Sequence, residues 1–200
     1  MCDVEATAVA NRPDPTIASE RRCFGGDSVL YQAYHDWEWG QPVHGDTEWF
    51  ERLSLEGFSS GLSWLTVLRK RDSLRRAFAG FDPVKVAAFD QIDVQRLLGD
   101  PGVIRSRAKI TGAIGNARAL LDYQAGGGSL DRLVWDHRPA QHHPPATAAE
   151  HPPQSPESEA LARQLRRLGF RWLGPVNVYA ALEACGVINN HLPQCPRSQS

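Results

Sequence analysis

Two helix-like segments joined by one short glycine-bearing link constrain this chain more than any other stretch. Residues 90–98 start at Asp90, a good N-cap type, and carry Ile92, Val94, Leu97 and Leu98 at helical spacing. Residues 106–124 place Ile110, Ala113, Ile114, Ala117, Leu120 and Leu121 on one face, and Gly126–Gly128 then stops the helix. Between the two lies Gly99-Asp100-Pro101-Gly102-Val103-Ile104-Arg105, enough only for a tight turn. Such a turn presents backbone N–H groups, here around Gly102 and Ile104, beside a helix N-terminus, where they and the helix dipole suit an anion. Arg105, Arg107 and Lys109 add positive charge close by. Two readings stand at this point: a clamp for phosphate oxygens, and an ordinary helical hairpin with basic residues on its solvent side.

The rest of the chain reads as helix too. Asp46–Thr47 start a segment bearing Trp49, Phe50 and Leu53. Leu62–Lys70 is a short amphipathic turn, and Asp72 is expected to cap a further helix to Phe78. Asp82-Pro83 is an N-cap followed by proline at the first helical position. Ser155-Pro156-Glu157 starts a helix to Leu168, and Val178–Cys185 forms the last. No run alternates with period two, so the expected class is all-α. With 200 residues and 42% hydrophobic residues the chain can bury one good core. Two stretches lack a pattern. Residues 1–19 are polar and interrupted by Pro13 and Pro15, which predicts a disordered tail. Residues 137–156 hold six prolines and four histidines and predict an irregular loop, with His142, His143 and His151 as loop residues.

Global charge excludes little, since the net formal charge is -1. From Arg69 to Arg118, however, 11 Lys or Arg face 5 Asp. That excess fits a nucleic-acid surface or a solvated helix face equally. No apolar run is long enough for a membrane span. The acidic start, MCDVEATAVANRPDP, is no secretory signal, so the expected compartment is the cytoplasm and the cysteines are expected as thiols or metal ligands. Cys23 and His35 lie near one end, His191 and Cys195 near the other. Two Cys and two His can close a tetrahedral zinc site of the structural kind, although spacing alone also allows four unrelated residues. Cys2 in the tail and Cys185 on an apolar helix are not expected as ligands.

These pieces fall within a longer pattern. Tyr31-Gln32-Ala33-Tyr34-His35-Asp36-Trp37-Glu38-Trp39-Gly40 and Leu55-Glu56-Gly57-Phe58-Ser59-Ser60-Gly61-Leu62-Ser63-Trp64 resemble signature segments of the 3-methyladenine DNA glycosylase I family. Phe81-Asp82-Pro83, the hairpin, Leu168-Gly169-Phe170, Gly174-Pro175 and Val187-Ile188-Asn189-Asn190-His191 follow in family order. The resemblance spans residues 21–195 and implies a helix-hairpin-helix glycosylase fold over 20–200. It implies zinc on Cys23, His35, His191 and Cys195, within a subdomain of residues 20–45 and 157–197, and a helix-hairpin-helix part over about 46–136.

The resemblance further implies a base pocket of Tyr31, Trp39, Glu56, Trp64 and Tyr34, with Glu56 as the catalytic carboxylate. Duplex alkylated DNA is the expected partner, and a monomer the expected state. The turn at Gly61-Leu62 is expected to face DNA, with Leu62 either a wedge beside a flipped base or a core leucine. Asp36 and Glu38 are either orienting partners of His35 or exposed charges. No lysine follows the hairpin where bifunctional relatives carry their nucleophile, so no lyase step is expected. The chain departs from the family at Ser59-Ser60, where Gln-Ala is usual. It departs also at Val176-Asn177 in place of threonines, at Asn190 in place of aspartate, and at Phe24, near which a tryptophan is common. Two other classes compete with a monofunctional glycosylase: a DNA-binding module of the same fold without efficient excision, and a zinc hydrolase with an open metal position.

Overall fold

A computed structural model of the chain describes residues 12–18 and 21–198. Every regular element among them is helical: α1 (Val29–Trp37), α2 (Asp46–Ser59), α3 (Trp64–Ala77), α4 (Pro83–Ala87), α5 (Gln91–Gly99), α6 (Arg107–Ala125), α7 (Leu130–Trp135), α8 (Pro156–Arg167) and α9 (Pro175–Ala184), with 3-10 turns at Ala79–Phe81 and Ala148–Glu150. The starts follow local chemistry. Asp82 Oδ1 accepts from the N–H groups of Val84 and Lys85 at 3.0 and 3.3 Å, with Pro83 at the first helical position. Asp90 and Asp93 form a reciprocal capping box at the head of α5, and Ser155 and Ser158 do so at the head of α8.

One expected break is absent. Trp64–Ala77 is a single helix, and Asp72 lies inside it, 3.6 Å from Arg75 one turn on, rather than capping a new one. Val67, Leu68 and Leu74 are buried on one side of α3, and that shared burial carries the helix through the polar residue.

The chain divides into two compact units. One comprises residues 43–138 and 154–181, the other 1–42, 139–153 and 182–200. The division differs from the sequence expectation at two places. Residues 157–181, including α8, group with the hairpin and not with the Cys/His segments, whereas the loop 139–153 groups with the latter.

In the helical unit the core is rich in phenylalanine. Phe78 and Phe81 stack with centroids 5.4 Å apart, Phe58 meets Phe78 edge-on at 5.5 Å, and Phe50, Phe58, Phe78 and Phe81 are essentially inaccessible. Each such ring buries enough apolar surface to contribute about 2–3 kcal/mol. Asp46 ties the head of α2 to α6 and α7. Its carboxylate accepts from Gln124 Nε2 at 2.7 Å, Ser129 Oγ at 2.9 Å and the Asp131 N–H at 2.8 Å.

The smaller unit is built on α1 and on chain segments from both ends of the sequence. The Gly40 N–H donates to the Ala184 carbonyl at 3.1 Å. Part of the expected tail is ordered here. The indole of Trp37 donates to the Arg12 carbonyl at 2.7 Å, and the Asp14 N–H donates to Asp36 Oδ2 at 2.7 Å. Ile17 is buried, so residues 12–18 pack where disorder was expected, whereas residues 1–11 and 19, with Cys2, lie outside the described residues.

Candidate functional site

Glu56 sits on the last turn of α2, and its side chain is buried. A helix end leaves four carbonyls without helical partners, and here all four are satisfied. The Glu56 carbonyl accepts from Asn177 Nδ2 at 3.0 Å and Ser59 Oγ at 2.8 Å. The Gly57 carbonyl accepts from the Ser60 N–H, and the Ser59 carbonyl from the Leu62 N–H at 2.7 Å. The Phe58 carbonyl accepts from Lys109 Nζ at 3.0 Å, and the same ammonium reaches the Ser60 carbonyl at 2.5 Å. The lysine therefore places positive charge at the negative end of the α2 dipole. Burial pulls its pKa below the ordinary lysine value. This redirects one sequence assignment: Lys109, expected on phosphate, commits two of its three donors to closing α2.

Gly61, with φ +73°, turns the chain out of α2. Leu62 follows and is 44% exposed, which removes the core alternative for it. Trp64, half-buried, opens α3 behind the N-cap Ser63. The hairpin lies alongside. Leu62, Thr66 and Lys70 from the α3 side and Leu98, Pro101, Val103, Ile104 and Arg105 from the hairpin line one open groove of about 560 Å³. Lys70 Nζ donates to the Pro101 carbonyl at 2.6 Å, and Asp100 Oδ1 accepts from the Gly102 N–H at 2.7 Å. A β-carbon on Gly102 would stand 2.9 Å from Ser73 Cβ, so only glycine lets the turn approach α3 this closely. The structure thus brings Leu62, Ile104 and Arg105 to one concave face, with Arg107 exposed at the start of α6, whereas Gly102 is not part of the groove lining.

The smaller unit gathers the four expected metal ligands. One donor atom from each of Cys23, His35, His191 and Cys195 lies within 4.8 Å of the others. Cys195 Sγ stands 3.4 Å from His191 Nδ1 and 3.5 Å from His35 Nε2, and Cys23 Sγ stands 3.6 Å from His191 Nδ1. Tetrahedral zinc bonds to sulfur and nitrogen give ligand-to-ligand edges of about 3.3–3.8 Å, so the donor set fits that ion. His35 points its other ring nitrogen at Asp36 Oδ1, 2.8 Å away. Burial would raise the Asp36 carboxyl, but bonds from Arg22, His35 and the Asp14 N–H hold it below the usual carboxylate range. Burial pulls His191 down to about 4 and pushes the Cys23 thiol up to about 12, so the imidazole is kept neutral and the thiol needs a cation to lose its proton.

Of the two orienting candidates, Asp36 faces the ligand directly. The Asn190 side chain is turned to other partners: its Nδ2 donates to Glu183 Oε1 at 2.5 Å, and its Oδ1 accepts from His142 Nε2 at 2.7 Å. His151 also bonds Glu183, which raises its pKa. Two of the loop histidines are therefore anchored, a tertiary role with no signature in local sequence.

Phe24, missed as a site residue, is the centre of the aromatic group. Its ring centroid lies 4.7 Å from Tyr31, 4.9 Å from Trp39, 5.1 Å from His35 and 6.2 Å from Tyr34. Trp39 meets His191 edge-on at 4.5 Å and is buried, so it walls the Cys/His cluster, while the buried Tyr34 packs on Phe24 and Tyr31. Tyr31 is half-buried and keeps part of its ring open.

A glycine-tight hairpin and a buried carboxylate on a capped helix end in one all-helical unit, in a chain that also gathers a Cys2His2 cluster, define a helix-hairpin-helix protein of the DNA glycosylase type. The chain belongs to the methyladenine glycosylase family, which it matches over residues 25–198. It is 44% identical over 180 residues to DNA-3-methyladenine glycosylase 1 of Escherichia coli strain K12, covering 88% of this chain and 95% of that one. A crystal structure of 3-methyladenine DNA glycosylase I superposes with a TM-score of 0.85 at 41% identity, covering 88% of this chain and 98% of the other. The Staphylococcus aureus enzyme, solved for the structural basis of 3-methyladenine recognition, gives 0.85 at 32% identity, covering 92% and 98%. Among the described residues, no helix is long and apolar enough to cross a membrane.

Proposed function

We propose that this protein is a monofunctional DNA-3-methyladenine glycosylase acting in the cytoplasm, as a monomer, on alkylated duplex DNA. The single observation that carries the reading is the buried Glu56 on a fully satisfied helix end, within a chain 44% identical to a named enzyme of that activity.

The chemistry follows from the lesion. N3-methylated adenine is cationic and therefore a good leaving group. The C1′–N9 bond breaks with its electron pair going to N9, the base departs neutral, and water adds its oxygen to C1′ and loses a proton. The protein has to expose the base, hold it and stabilise a sugar cation. Glu56 accepts from the exocyclic amine and favours the positive base electrostatically. Trp64 and Tyr31 offer aromatic faces, for which a cation–π contribution of roughly 0.5–2 kcal/mol favours the methylated base over neutral adenine. The resemblance assigns Tyr34 and Trp39 to the base as well; their burial and their ring contacts with Phe24 support a role in holding Tyr31.

The exposed groove supports DNA docking: Leu62 enters the stack where a base has left, the hairpin backbone at Ile104 meets phosphate, and Arg105 and Arg107 add charge, whereas the Gly102 N–H is held by Asp100 and serves the turn itself. Zinc on Cys23, His35, His191 and Cys195 is structural, because four protein donors leave no open position for a hydrolytic water.

The test is release of free 3-methyladenine from alkylated duplex DNA by the purified zinc-loaded protein, beside Glu56→Gln. Release by the wild type, sharply reduced in the variant, is the expected outcome. A folded, zinc-loaded protein that binds DNA and releases no base overturns it in favour of a binding module.

A further inference from the structure

The departures at Ser59-Ser60 and Asn177 stand 118 residues apart in sequence, yet the structure joins them into one hydrogen-bonded group around Glu56. Ser60 Oγ donates to Asn177 Oδ1 at 3.3 Å, which fixes the amide so that Nδ2 faces α2. Nδ2 then donates to the Glu56 carbonyl at 3.0 Å and approaches Ser59 Oγ at 3.4 Å. A hydroxyl that receives an N–H must direct its own proton elsewhere. The acceptors in reach of Ser59 are the Glu56 carbonyl at 2.8 Å and the Glu56 carboxylate oxygen Oε2 at 3.1 Å.

We propose that Ser59, with its hydroxyl direction set by Asn177, is a positioning residue that fixes the plane of the Glu56 carboxylate for reading the damaged base. The inference rests on the reading of Glu56 as the base-recognising carboxylate. Glu56 is buried, so a carboxylate free to rotate there would lose both orientation and the stabilisation of its charge. The Ser59 proton, shared between the Glu56 carbonyl and Oε2, contributes to both. Ser60 and Asn177 touch no carboxylate oxygen in this set of bonds; they act through Ser59. The hydrogen bonds that link Ser59, Ser60 and Asn177 make the two serines and the asparagine one coupled group rather than three separate departures.

A hydrogen bond to a charged group is worth enough to change a rate or a binding constant by about tenfold to a hundredfold when it is lost. The experiment compares wild type, Ser59→Ala, Ser59→Thr, Asn177→Ala and the Ser59→Ala/Asn177→Ala double variant in single-turnover excision from alkylated duplex DNA. Binding of free 3-methyladenine is measured alongside, in both the wild-type and Glu56→Gln backgrounds. The expected result is that Ser59→Ala slows excision about tenfold, with DNA affinity and urea midpoint close to wild type. Ser59→Thr, which keeps the hydroxyl, recovers the rate, and the double variant is no slower than the slower of the two single variants, because both residues act through one bond. Ser59→Ala weakens base binding in the wild-type background and leaves it unchanged in Glu56→Gln.

Equal losses in both backgrounds overturn the proposal, since Ser59 would then act independently of Glu56. So do single variants within twofold of wild type while Glu56→Gln is inactive. Full activity of Glu56→Gln would instead remove the reading of Glu56 itself, an outcome visible before any Ser59 variant is considered.

Discussion

Replacing Lys109 by methionine separates two roles that the same side chain could hold. Methionine keeps most of the apolar stem and deletes the ammonium, leaving the Phe58 and Ser60 carbonyls without the donors that close α2 at 3.0 and 2.5 Å. Bonds to a charged donor contribute about 1.5–3 kcal/mol each when buried. The ammonium is only partly enclosed, so about 1 kcal/mol per bond is the fair discount, and the total loss is about 2 kcal/mol. In a unit of this size that lowers the melting temperature by about 6–10 °C. Urea denaturation of Lys109→Met and of Arg105→Ala, with DNA affinity measured across a salt series, makes the comparison. The lysine variant should lose stability and keep the wild-type slope of log affinity against log salt. Arg105→Ala, whose side chain lies exposed on the groove, should keep stability within about 0.5 kcal/mol and lower the slope by about 0.9. A stable Lys109→Met protein with a reduced salt slope would refute the structural assignment and return Lys109 to the phosphate face.

Three further outcomes follow from the geometry. Asp36→Asn removes the carboxylate that His35 and Arg22 share, and zinc retention against a chelator series should weaken by about 10–100-fold, read as metal content per chain. Gly40→Ala would place a β-carbon 2.8 Å from His191 Nε2 at a backbone φ of +81°, so a loss of at least about 2 kcal/mol, together with faster metal release, should appear in the same assays. Asp46→Asn should cost about 1–2 kcal/mol near neutral pH. Bonds from Asp131, Gln124 and Ser129 outweigh burial and hold the Asp46 carboxyl below its ordinary value, so its stabilisation is present above the unfolded value and is lost as pH falls through the folded one. The gap between wild type and Asp46→Asn in urea should therefore narrow on going from about pH 6 to about pH 3.

What the sequence disclosed and what it withheld divide along the range of the physics. Asp82-Pro83, Asp90 and Ser155-Pro156 mark helix starts because a cap is satisfied within three residues, so their signal is local. Asp72 carries the same local signal and fails, since burial of Val67, Leu68 and Leu74 decides the matter. The spacing of Cys23, His35, His191 and Cys195 left their gathering open, and the resemblance is what singled out the cluster that the structure forms. The ordering of Trp39 and Tyr34 around Phe24, the anchoring of His142 and His151, and the Asn177–Ser59 pairing depend on neighbours 10 to 118 residues away, and nothing in a window of sequence encodes such distances.

The Cys/His cluster has a consequence for the order of events during synthesis. Cys23 and His35 leave the ribosome early, and the nearest partner thiol for His35 arrives 160 residues later. The helical unit of residues 43–138 and 154–181 is complete before position 191 exists, whereas the smaller unit cannot close until residue 195 has emerged. Until then half a ligand set waits, open to the wrong metal and to oxidation, and a chain halted ahead of His191 keeps that liability permanently.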